Sequence, residues 1–272
     1  MPSPDEGRSR PFQGFEINRD DGGYRIDYVM PGPLNGVLSA VLLCRGALLD
    51  GTAGDPSRIA SRIGRVIEGS ILTSPLQVHG SAVIQGRAVW ALPQRVRADG
   101  VHLDASFDRL GRVAALLRFA DCVPILLASA SPRPWAVVLH SGFKGTMHDI
   151  FSAAWRGLRG FYGSEGHALD SGQTYAWIGP AIGPCCFTRV LTEALALRAE
   201  AEWGAENSWR DGGFVHLDLI GVISAKMKSA GIPGKNIMTL PLCTRCHSDK
   251  FYSYRAGDFD DRMALVTRLK KC

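Results

Sequence analysis

Three side chains that bind soft metals occupy positions where apolar runs end or are interrupted. His79 precedes a glycine, Cys122 interrupts a largely apolar run, and His140 ends another. Burying a polar side chain in such a run costs roughly 2–7 kcal/mol unless it finds a partner, so we expect the three to meet. Two imidazoles and a thiolate leave one position of tetrahedral zinc open, as catalytic zinc sites do. The same residue types would also serve a Cys–His nucleophile pair, and their spacing leaves both chemistries open.

The segment after His140 has the composition of an anion-binding turn. Residues 141–146 read SGFKGT, with Lys144 in the turn and Thr146 placed to cap a predicted helix. A helix N-terminus offers free N–H groups and the positive end of the helix dipole. We therefore expect Lys144 and the N–H groups around Gly145 to bind a phosphate. The spacing of a nucleotide-binding P-loop is absent.

Four further cysteines occur in two pairs. Cys243 and Cys246 form a CxxC, but the second CxxC of a zinc ribbon is absent, so the sequence favours incidental thiols over a structural zinc. Cys185 and Cys186 are adjacent, and we do not expect neighbouring residues to share a metal. The chain has seven cysteines in all, and an odd number argues against a disulfide framework.

One aromatic segment could form a wall of a binding pocket. Residues 251–255 read FYSYR, which is typical of a strand that ends on an arginine. Aromatic faces beside Arg255 would suit an anionic or planar ligand.

Hydrophobic periodicity predicts the elements that must position these residues. Helices are predicted over 56–68, with Asp55 as N-cap, and over 146–161, 190–203 and 217–229. Strands are predicted over 36–44, 135–139, 175–178, 237–240 and 263–269, with short β-like runs between 75 and 130. Because strands and helices do not alternate strictly, we expect a layered α/β (α+β) single domain with mixed β-sheets flanked by helices.

Composition limits the class of protein. Of 272 residues, 46% are hydrophobic and 21% charged, which suits a globular core. Residues 1–22 are expected to form a flexible tail and 23–272 a single domain. We expect no membrane span, because no apolar run approaches about 20 residues, and no secretory signal, hence a cytoplasmic protein. The net charge of +5 includes no Lys/Arg block, so nucleic acid is not an expected partner. Nothing in these patterns fixes the oligomeric state.

Five segments in this order resemble the YfiH-like, laccase-domain proteins, which are often labelled multicopper polyphenol oxidases. They cover the chain from about Leu76 to Val266 and are, in order, QVHG at 77–80, ADCVP at 120–124, HSGFKGT at 140–146, IGPAIGPCCF at 178–187 and FYSYR at 251–255.

The resemblance implies that His79, Cys122 and His140 are metal ligands, usually for zinc. It implies a layered domain similar to that of a toxin deamidase with a Cys–His pair. The implied activity is purine nucleoside phosphorolysis, with adenosine deamination and methylthioadenosine phosphorolysis beside it. The implied ligands are therefore a purine nucleoside and phosphate, for which we add Gln77, Arg45, Ser253, Arg255 and Lys144 as candidate binding residues.

The sequence departs from the family pattern around the expected substrate pocket. Ser141 and Phe143 replace the usual alanine and tryptophan, Arg262 lacks the usual preceding glycine, and the early motifs survive only around Arg45. Two alternatives stay open: a copper-dependent polyphenol oxidase, and a metal-binding regulatory protein or one that corrects peptidoglycan precursors. Only two of seven histidines have ligand-like context, which is few for several coppers.

Overall fold

The computed structural model describes residues 12–20, 22–67, 69–107 and 112–270. The first strands along the chain are β1 (Phe15–Asp20), β2 (Gly23–Tyr28), β3 (Leu38–Leu43), β4 (Ile71–Thr73), β5 (Val83–Gln85), β6 (Gly100–Asp104), β7 (Val113–Phe119) and β8 (Val123–Ser129). The later strands are β9 (Trp135–Ser141), β10 (Tyr175–Ile178), β11 (Thr188–Val190), β12 (Ser208–Asp211), β13 (Phe214–Leu217), β14 (Ile237–Thr239) and β15 (Met263–Leu269). The α-helices are α1 (Pro56–Arg62), α2 (Gly64–Ile67), α3 (Phe143–Met147), α4 (Ile150–Ser164), α5 (Ala194–Trp203) and α6 (Leu219–Ser229). Short 3-10 helices span Gly32–Leu34, Ala88–Trp90, Ser171–Gln173, Gly234–Asn236 and Tyr254–Ala256.

The strands form two six-stranded sheets and a small third one. The first sheet has the order β1-β2-β3-β15-β7-β4, and the second has the order β14-β10-β8-β9-β6-β5. Both are mixed, since β4 pairs with β7 in parallel while the other pairs of the first sheet are antiparallel, and β10–β14 and β5–β6 are the parallel pairs of the second. The third sheet, β11-β13-β12, is antiparallel.

The second sheet is the middle layer of the molecule, because both of its faces are buried. Along β9, Ala136 and Val138 pack toward the first sheet, whereas Val137 and Leu139 pack with the helices α4 and α6. A strand that is covered on both faces reads as a continuous apolar run, which is why β8 and β9 lack polar alternation. The expected layered α/β domain with mixed sheets and flanking helices is confirmed.

Strand register brings distant parts of the chain to one edge of this middle sheet. β8 and β9 are antiparallel, with Val123 opposite Ser141, so the residue before β8 lies beside the end of β9. β6 is antiparallel to β9 on the other side, with Gly100 opposite Leu139, and the His140 N–H donates to the Asp99 carbonyl at 2.7 Å. Cys122, His140 and Asp99 therefore meet at the ends of three neighbouring strands.

Several expected elements differ in the structure. Residues 15–20, which were expected in the tail, form β1 and pair with β2, with Phe15 opposite Tyr28; the rest of that tail up to residue 11 lies outside the described residues. The Asp-Gly dipeptide at 21–22 is a hairpin signal that explains this pairing. Segment 251–255 is not a strand, because the Ser253 hydroxyl accepts the Ala256 N–H at 3.2 Å and starts a 3-10 helix.

The helix expected over 146–161 is divided in two. α3 ends at Met147 and α4 begins at Ile150, with Asp149 as N-cap accepting the Ser152 N–H at 3.2 Å. Asp149 has a φ of 53°, and this left-handed residue breaks the helix. The helix expected over 56–68 is also divided, into α1 and α2, but its expected cap is present, because the Asp55 carboxylate accepts the N–H groups of Ser57 and Arg58. Within the described residues, no helix is both long and apolar enough to span a bilayer.

A buried ionic network anchors the far end of β6. The Asp104 carboxylate is fully buried and accepts hydrogen bonds from the Arg133 guanidinium at 2.6 Å, the Ser106 hydroxyl at 2.6 Å and the Tyr162 hydroxyl. Burial alone would raise the pKa of Asp104, but these donors outweigh it and hold the pKa below its ordinary value. Burial also lowers the pKa of neighbouring His102 to about 4, so its ring is neutral at pH 7.

We expect Asp104→Asn to lower the free energy of unfolding by about 3 kcal/mol at pH 7, since it removes the buried one of the two carboxylates that pair with Arg133, leaving only Glu165. A depressed folded pKa contributes stability above the ordinary carboxyl pKa of about 3.9, and that stability is lost as pH falls through the folded value. The difference between variant and wild type should therefore shrink below about pH 4.

Urea unfolding at pH 7 and pH 3.5 measures this difference. The control is Glu202→Gln, which removes an exposed carboxylate paired with Arg198 and should change stability by less than about 0.5 kcal/mol. An equal loss for both variants would contradict the role given to Asp104.

Candidate metal centre

His79, Cys122 and His140 meet at one end of the middle sheet. Their donor atoms all lie within 4.8 Å of one another. The two imidazole rings are edge to face, with centroids 4.9 Å apart. His140 is 4% exposed, whereas His79 is exposed, so one side of the group faces solvent. Two nitrogens and one sulfur at this separation fit a three-ligand site with an open fourth position.

A buried carboxylate, Asp99, orients both histidines. Asp99 accepts the N–H groups of Val78, His79 and Gly80 at 2.7–3.2 Å, and His140 Nδ1 lies 2.9 Å from Asp99 Oδ1. Occupation of Nδ1 leaves His140 Nε2 as the ligand atom. Such a carboxylate behind a histidine fixes the ring and raises its basicity toward a metal.

The same network sets the protonation of the site. Burial lowers the pKa of His140, and the electrostatic interaction with His79 adds to this effect, while the hydrogen bond to Asp99 opposes it. Burial would raise the pKa of Asp99, but the hydrogen bonds from His140 and Gly80 outweigh it and hold the pKa below the ordinary value. A neutral imidazole beside a carboxylate is the form that ligates metals.

The electrostatics around Cys122 favour a ligand over a free nucleophile. Burial raises the pKa of the Cys122 thiol to about 12, and the negative charges of Asp121 and Asp99 contribute to the rise. The thiolate is the reactive form of cysteine, so a thiol with this pKa is a poor nucleophile at neutral pH. A coordinating cation reverses this situation, because it deprotonates the thiol outright.

The close approach of the donors depends on a glycine and on a left-handed backbone. A Cβ at Gly142 would lie 2.7 Å from Cys122 Sγ and 3.0 Å from the His79 ring, so a larger residue would push the ligands apart. His79 itself has a φ of 59°. That conformation costs on the order of 1–3 kcal/mol, and the three N–H bonds to Asp99 stabilise it.

Asp121 connects the centre to two loops. Its φ is 78°, and its carboxylate accepts the Thr244 hydroxyl at 2.7 Å and the Arg255 N–H at 2.8 Å. Its carbonyl accepts the Ile182 N–H at 2.9 Å. Asp121 thus fixes the loop after β10 and the loop after β14 beside Cys122.

A cavity of about 530 Å³ opens from the three donors, a volume within the usual range of small-molecule sites. Aromatic and aliphatic side chains cover part of its wall: Phe143, Ile182, Phe187, Leu219 and Tyr254. Such a wall suits a flat apolar ring, because aromatic faces pack against it.

Three arginines give the cavity an excess of positive charge: Arg118, Arg255 and Arg262. Arg118 donates to the Gln77 side-chain oxygen and the Gly54 carbonyl, and Arg262 donates to three carbonyls at 2.7–3.0 Å. Burial lowers the pKa of Arg118 to about 10, and nearby Arg95 and Arg262 add to the effect. No carboxylate of the described chain lies within ion-pair distance of these three guanidinium groups, so an anion would be stabilised among them.

Some of the expected substrate residues lie at the cavity and others do not. Gln77 and Arg255 line it. Lys144 is exposed on the short helix α3 and does not line it, which differs from the expected phosphate turn because the helix begins one residue before Lys144. Arg45 lies elsewhere, paired with Asp258 at 2.6 Å, and buried Ser253 caps its own turn.

Sequence reasoning missed Asp99 and Arg118. Asp99 had one usable signal, an acidic residue directly before the apolar strand β6. Arg118 stands in the apolar run of β7 and had the same kind of signal as Cys122, a polar residue that burial makes costly.

The structure also brings the two other cysteine pairs together, contrary to expectation. The sulfur atoms of Cys185, Cys186, Cys243 and Cys246 lie within 4.8 Å of one another. The sequence search for a second CxxC missed this group because one of its pairs is adjacent rather than spaced.

The chain belongs to the family described as multi-copper polyphenol oxidoreductase laccase, whose model matches residues 52–270. The family resemblance inferred from the motifs is therefore confirmed. The match includes the three donors, Asp99 and all of the cavity arginines.

Several relatives carry the names of nucleoside enzymes. The chain is 34% identical over 159 residues to a protein of Geobacillus stearothermophilus named purine nucleoside phosphorylase YlmD, covering 54% of this chain and 52% of that protein. It is 30% identical over 191 residues to adenosine deaminase RL5 from an unknown prokaryotic organism, covering 68% of this chain and 69% of that protein. The chain thus spans about half the length of the first relative.

Solved structures share the fold. The crystal structure of YlmD from Geobacillus stearothermophilus superposes with a TM-score of 0.73 at 24% identity, over 96% of this chain and 100% of that one. The Bacillus licheniformis hypothetical protein YfiH has a TM-score of 0.73 at 21% identity, over 93% of this chain and 99% of that one.

We expect Asp99→Asn to weaken zinc binding at this centre by about 10–100-fold, the usual effect of losing the group behind a ligating histidine. The Asn amide would turn N–H donors toward the N–H groups of 78–80 or toward His140 Nδ1. Competition with a chromophoric chelator measures the affinity, with Cys122→Ala as the reference for loss of a donor.

The matched control is Asp211→Asn, at a carboxylate that is 82% exposed. It should bind zinc as the wild type does. Wild-type zinc affinity in Asp99→Asn would show that the hydrogen bonds of the Asp99 carboxylate do not contribute to metal binding by the histidines.

Proposed function

We propose that the protein is a zinc-dependent purine nucleoside phosphorylase, with His79, Cys122 and His140 as the zinc ligands. The observation that carries the proposal is the meeting of these three donors on the wall of an arginine-lined cavity of about 530 Å³. The name of the relative from Geobacillus stearothermophilus supports the same reaction.

Zinc fits this donor set. Two neutral imidazoles and one thiolate are borderline-soft ligands, and Asp99 supplies the carboxylate that commonly stands behind a zinc-bound histidine. Bound there, zinc would supply a Lewis acid at the wall of the cavity. The exposed side of His79 leaves room for a substrate to approach.

In this proposal the cavity arginines bind phosphate. Arg255 and Arg262 line the pocket near the donors, and their guanidinium groups match the oxygens of a phosphate in planar, bidentate contacts. Burial lowers the pKa of Arg118, and repulsion from Arg95 and Arg262 lowers it further, so a nearby anion would stabilise its charged form. These residues replace Lys144 and Arg45 in the expected phosphate site.

The aromatic wall would position the nucleoside. Phe143 and Phe187 meet edge to face at 5.6 Å, and Arg255 lies 5.4 Å above the Phe187 ring. A purine on this wall would present its ribose C1′ to a phosphate among the arginines. Phosphorolysis then forms a bond from a phosphate oxygen to C1′ while the C1′–N9 bond breaks, and the purine leaves with the electron pair and takes up a proton.

Adenosine deamination is a second candidate, favoured by the relative named adenosine deaminase RL5 and by the same open three-ligand set. It would use water in place of phosphate. The two reactions therefore differ in what they require of the arginines. Phosphorolysis needs a bound phosphate, whereas deamination needs no anion.

A multicopper oxidase fits the donors less well. Beyond His79 and His140, the five other histidines of the chain lie outside the metal-ligating groups found among the described residues. Several coppers would need more imidazoles at one place. A methylthioadenosine substrate stays within the proposal, since it presents the same C1′–N9 bond.

Product analysis on the zinc-loaded protein tests the function. Inosine and adenosine are incubated with and without phosphate, and free base, sugar phosphate and inosine are separated. We expect hypoxanthine and ribose 1-phosphate from inosine only when phosphate is present. Phosphate-independent inosine from adenosine would favour deamination, and phenol oxidation by a copper-loaded protein would favour the oxidase.

We expect Arg255→Ala to raise the KM for phosphate by about tenfold or more, because a lost charge-assisted hydrogen bond costs about 1.5–3 kcal/mol. The KM for inosine should change much less. Steady-state kinetics with phosphate varied at saturating inosine measure the effect.

Lys144→Ala is the matched control, since it removes a cation from the same neighbourhood of the chain but not from the cavity. Its phosphate KM should stay within about twofold of the wild-type value. A large increase in the phosphate KM of Lys144→Ala, with no change in that of Arg255→Ala, would contradict the cavity arginines as the phosphate site. It would favour the turn after His140 instead.

A further inference from the structure

Two cysteine pairs from distant parts of the chain form a second cluster of thiols. Cys185 and Cys186 belong to the loop after β10, and Cys243 and Cys246 belong to the loop after β14. The parallel pairing of β10 with β14 and a bridge between Ala181 and Cys243 bring these loops together. The cluster is separate in residues from the centre at His79.

The spacing of the sulfur atoms fits one tetrahedral ion. Cys246 Sγ lies 3.7 Å from Cys185 Sγ and 3.5 Å from Cys186 Sγ, and all four sulfurs lie within 4.8 Å of one another. Zinc–sulfur bonds of about 2.3 Å in a tetrahedron place the sulfurs about 3.8 Å apart. A disulfide would require about 2.0 Å, and these cysteines are free.

We propose that Cys185, Cys186, Cys243 and Cys246 bind one zinc ion as four thiolates, forming a second, structural metal site. Four sulfur ligands in a tetrahedron select zinc or iron among common metals, and a closed set of four leaves no position for a substrate. Binding releases the four thiol protons to solvent.

A glycine lets the two loops approach each other closely at the cluster. A Cβ at Gly183 would lie 3.0 Å from Cys243 Cβ and 3.3 Å from Cys185 Sγ, so only glycine permits this approach without a shift.

Apolar burial explains only one member of the cluster. Cys243 is buried, but Cys185 and Cys246 are exposed and Cys186 is only partly buried. Thiols that merely fill a core would be expected inside it, as Cys44 is. Four sulfurs converging near the surface from two loops are accounted for by a shared ion.

The site would fix one wall of the cavity. The loop with Cys185 and Cys186 also carries the cavity residues Ile182 and Phe187. Thr244, inside the CxxC, donates to Asp121 at 2.7 Å, beside Cys122. An ion between the loops would therefore hold the cavity wall against the first centre, which makes it a positioning site and not a catalytic one.

Metal analysis of the reduced, purified full chain tests the proposal. In His79→Ala/His140→Ala, which disables the first centre, we expect about one zinc per chain to remain. In Cys185→Ser/Cys246→Ser we expect one zinc fewer than in the wild type, together with a lower thermal midpoint. Cys44→Ala, a thiol outside both groups, should retain the wild-type zinc content.

Cobalt substitution gives a readout that does not depend on the cysteine variants folding. Cobalt(II) bound to His79→Ala/His140→Ala should show the strong visible bands of a tetrahedral ion and sulfur-to-metal charge transfer in the near ultraviolet. Absence of both zinc and these bands in that variant would overturn the site, as would intramolecular disulfides in the freshly purified protein. Stoichiometric iron in place of zinc would overturn the identity of the metal. None of these outcomes depends on whether the protein phosphorolyses nucleosides.

Discussion

The candidate centre depends on one buried carboxylate. Asp99 is 0% exposed and accepts hydrogen bonds from the backbone of 78–80 and from the ring of His140. A carboxylate without these donors would cost several kcal/mol to bury, on the order of the penalties for unpaired buried charge. With them, a loop that has no regular structure is fixed against the end of β9. The left-handed backbone of His79 and the ring orientation of His140 both follow from this interaction.

The second constraint is the junction of the two large sheets. β7 of the first sheet passes directly into β8 of the second, and Asp121 and Cys122 form the turn between them. The turn needs a left-handed residue at Asp121, and the hydrogen bonds to Thr244 and the Arg255 N–H stabilise it. Since those partners belong to the loop after β14 and the segment beyond it, the position of Cys122 is linked to the position of the cavity wall. The hydrogen bonds of Asp121 therefore determine both the position of Cys122 and the position of the cavity wall.

Sequence reasoning reached the layered fold and the three donors because both leave local signals. Polar residues at the ends of apolar runs identify His79, Cys122 and His140, and a continuous apolar run identifies a strand that is buried on both faces, as in β9. The phosphate site at Lys144 stays a prediction, and we propose the cavity arginines in its place because Lys144 is exposed on α3 and does not line the cavity. Arg118 comes from β7, and only strand order places it near the cavity. The four-cysteine cluster was missed for the same reason, since its halves are about sixty residues apart and meet only through the pairing of β10 with β14.

Charge balance links the proposed metal and the proposed substrate. The cavity has three guanidinium groups and one carboxylate, Asp121, whose oxygens are already engaged by Thr244 and a backbone N–H. Zinc with one thiolate and two neutral imidazoles would add a further net positive charge. Burial lowers the pKa of Arg118, repulsion from Arg95 and Arg262 lowers it further, and that repulsion weakens when an anion enters. A phosphate dianion relieves more of that repulsion than a neutral nucleoside or water does. This charge balance supports the proposed reaction with phosphate over a reaction with water.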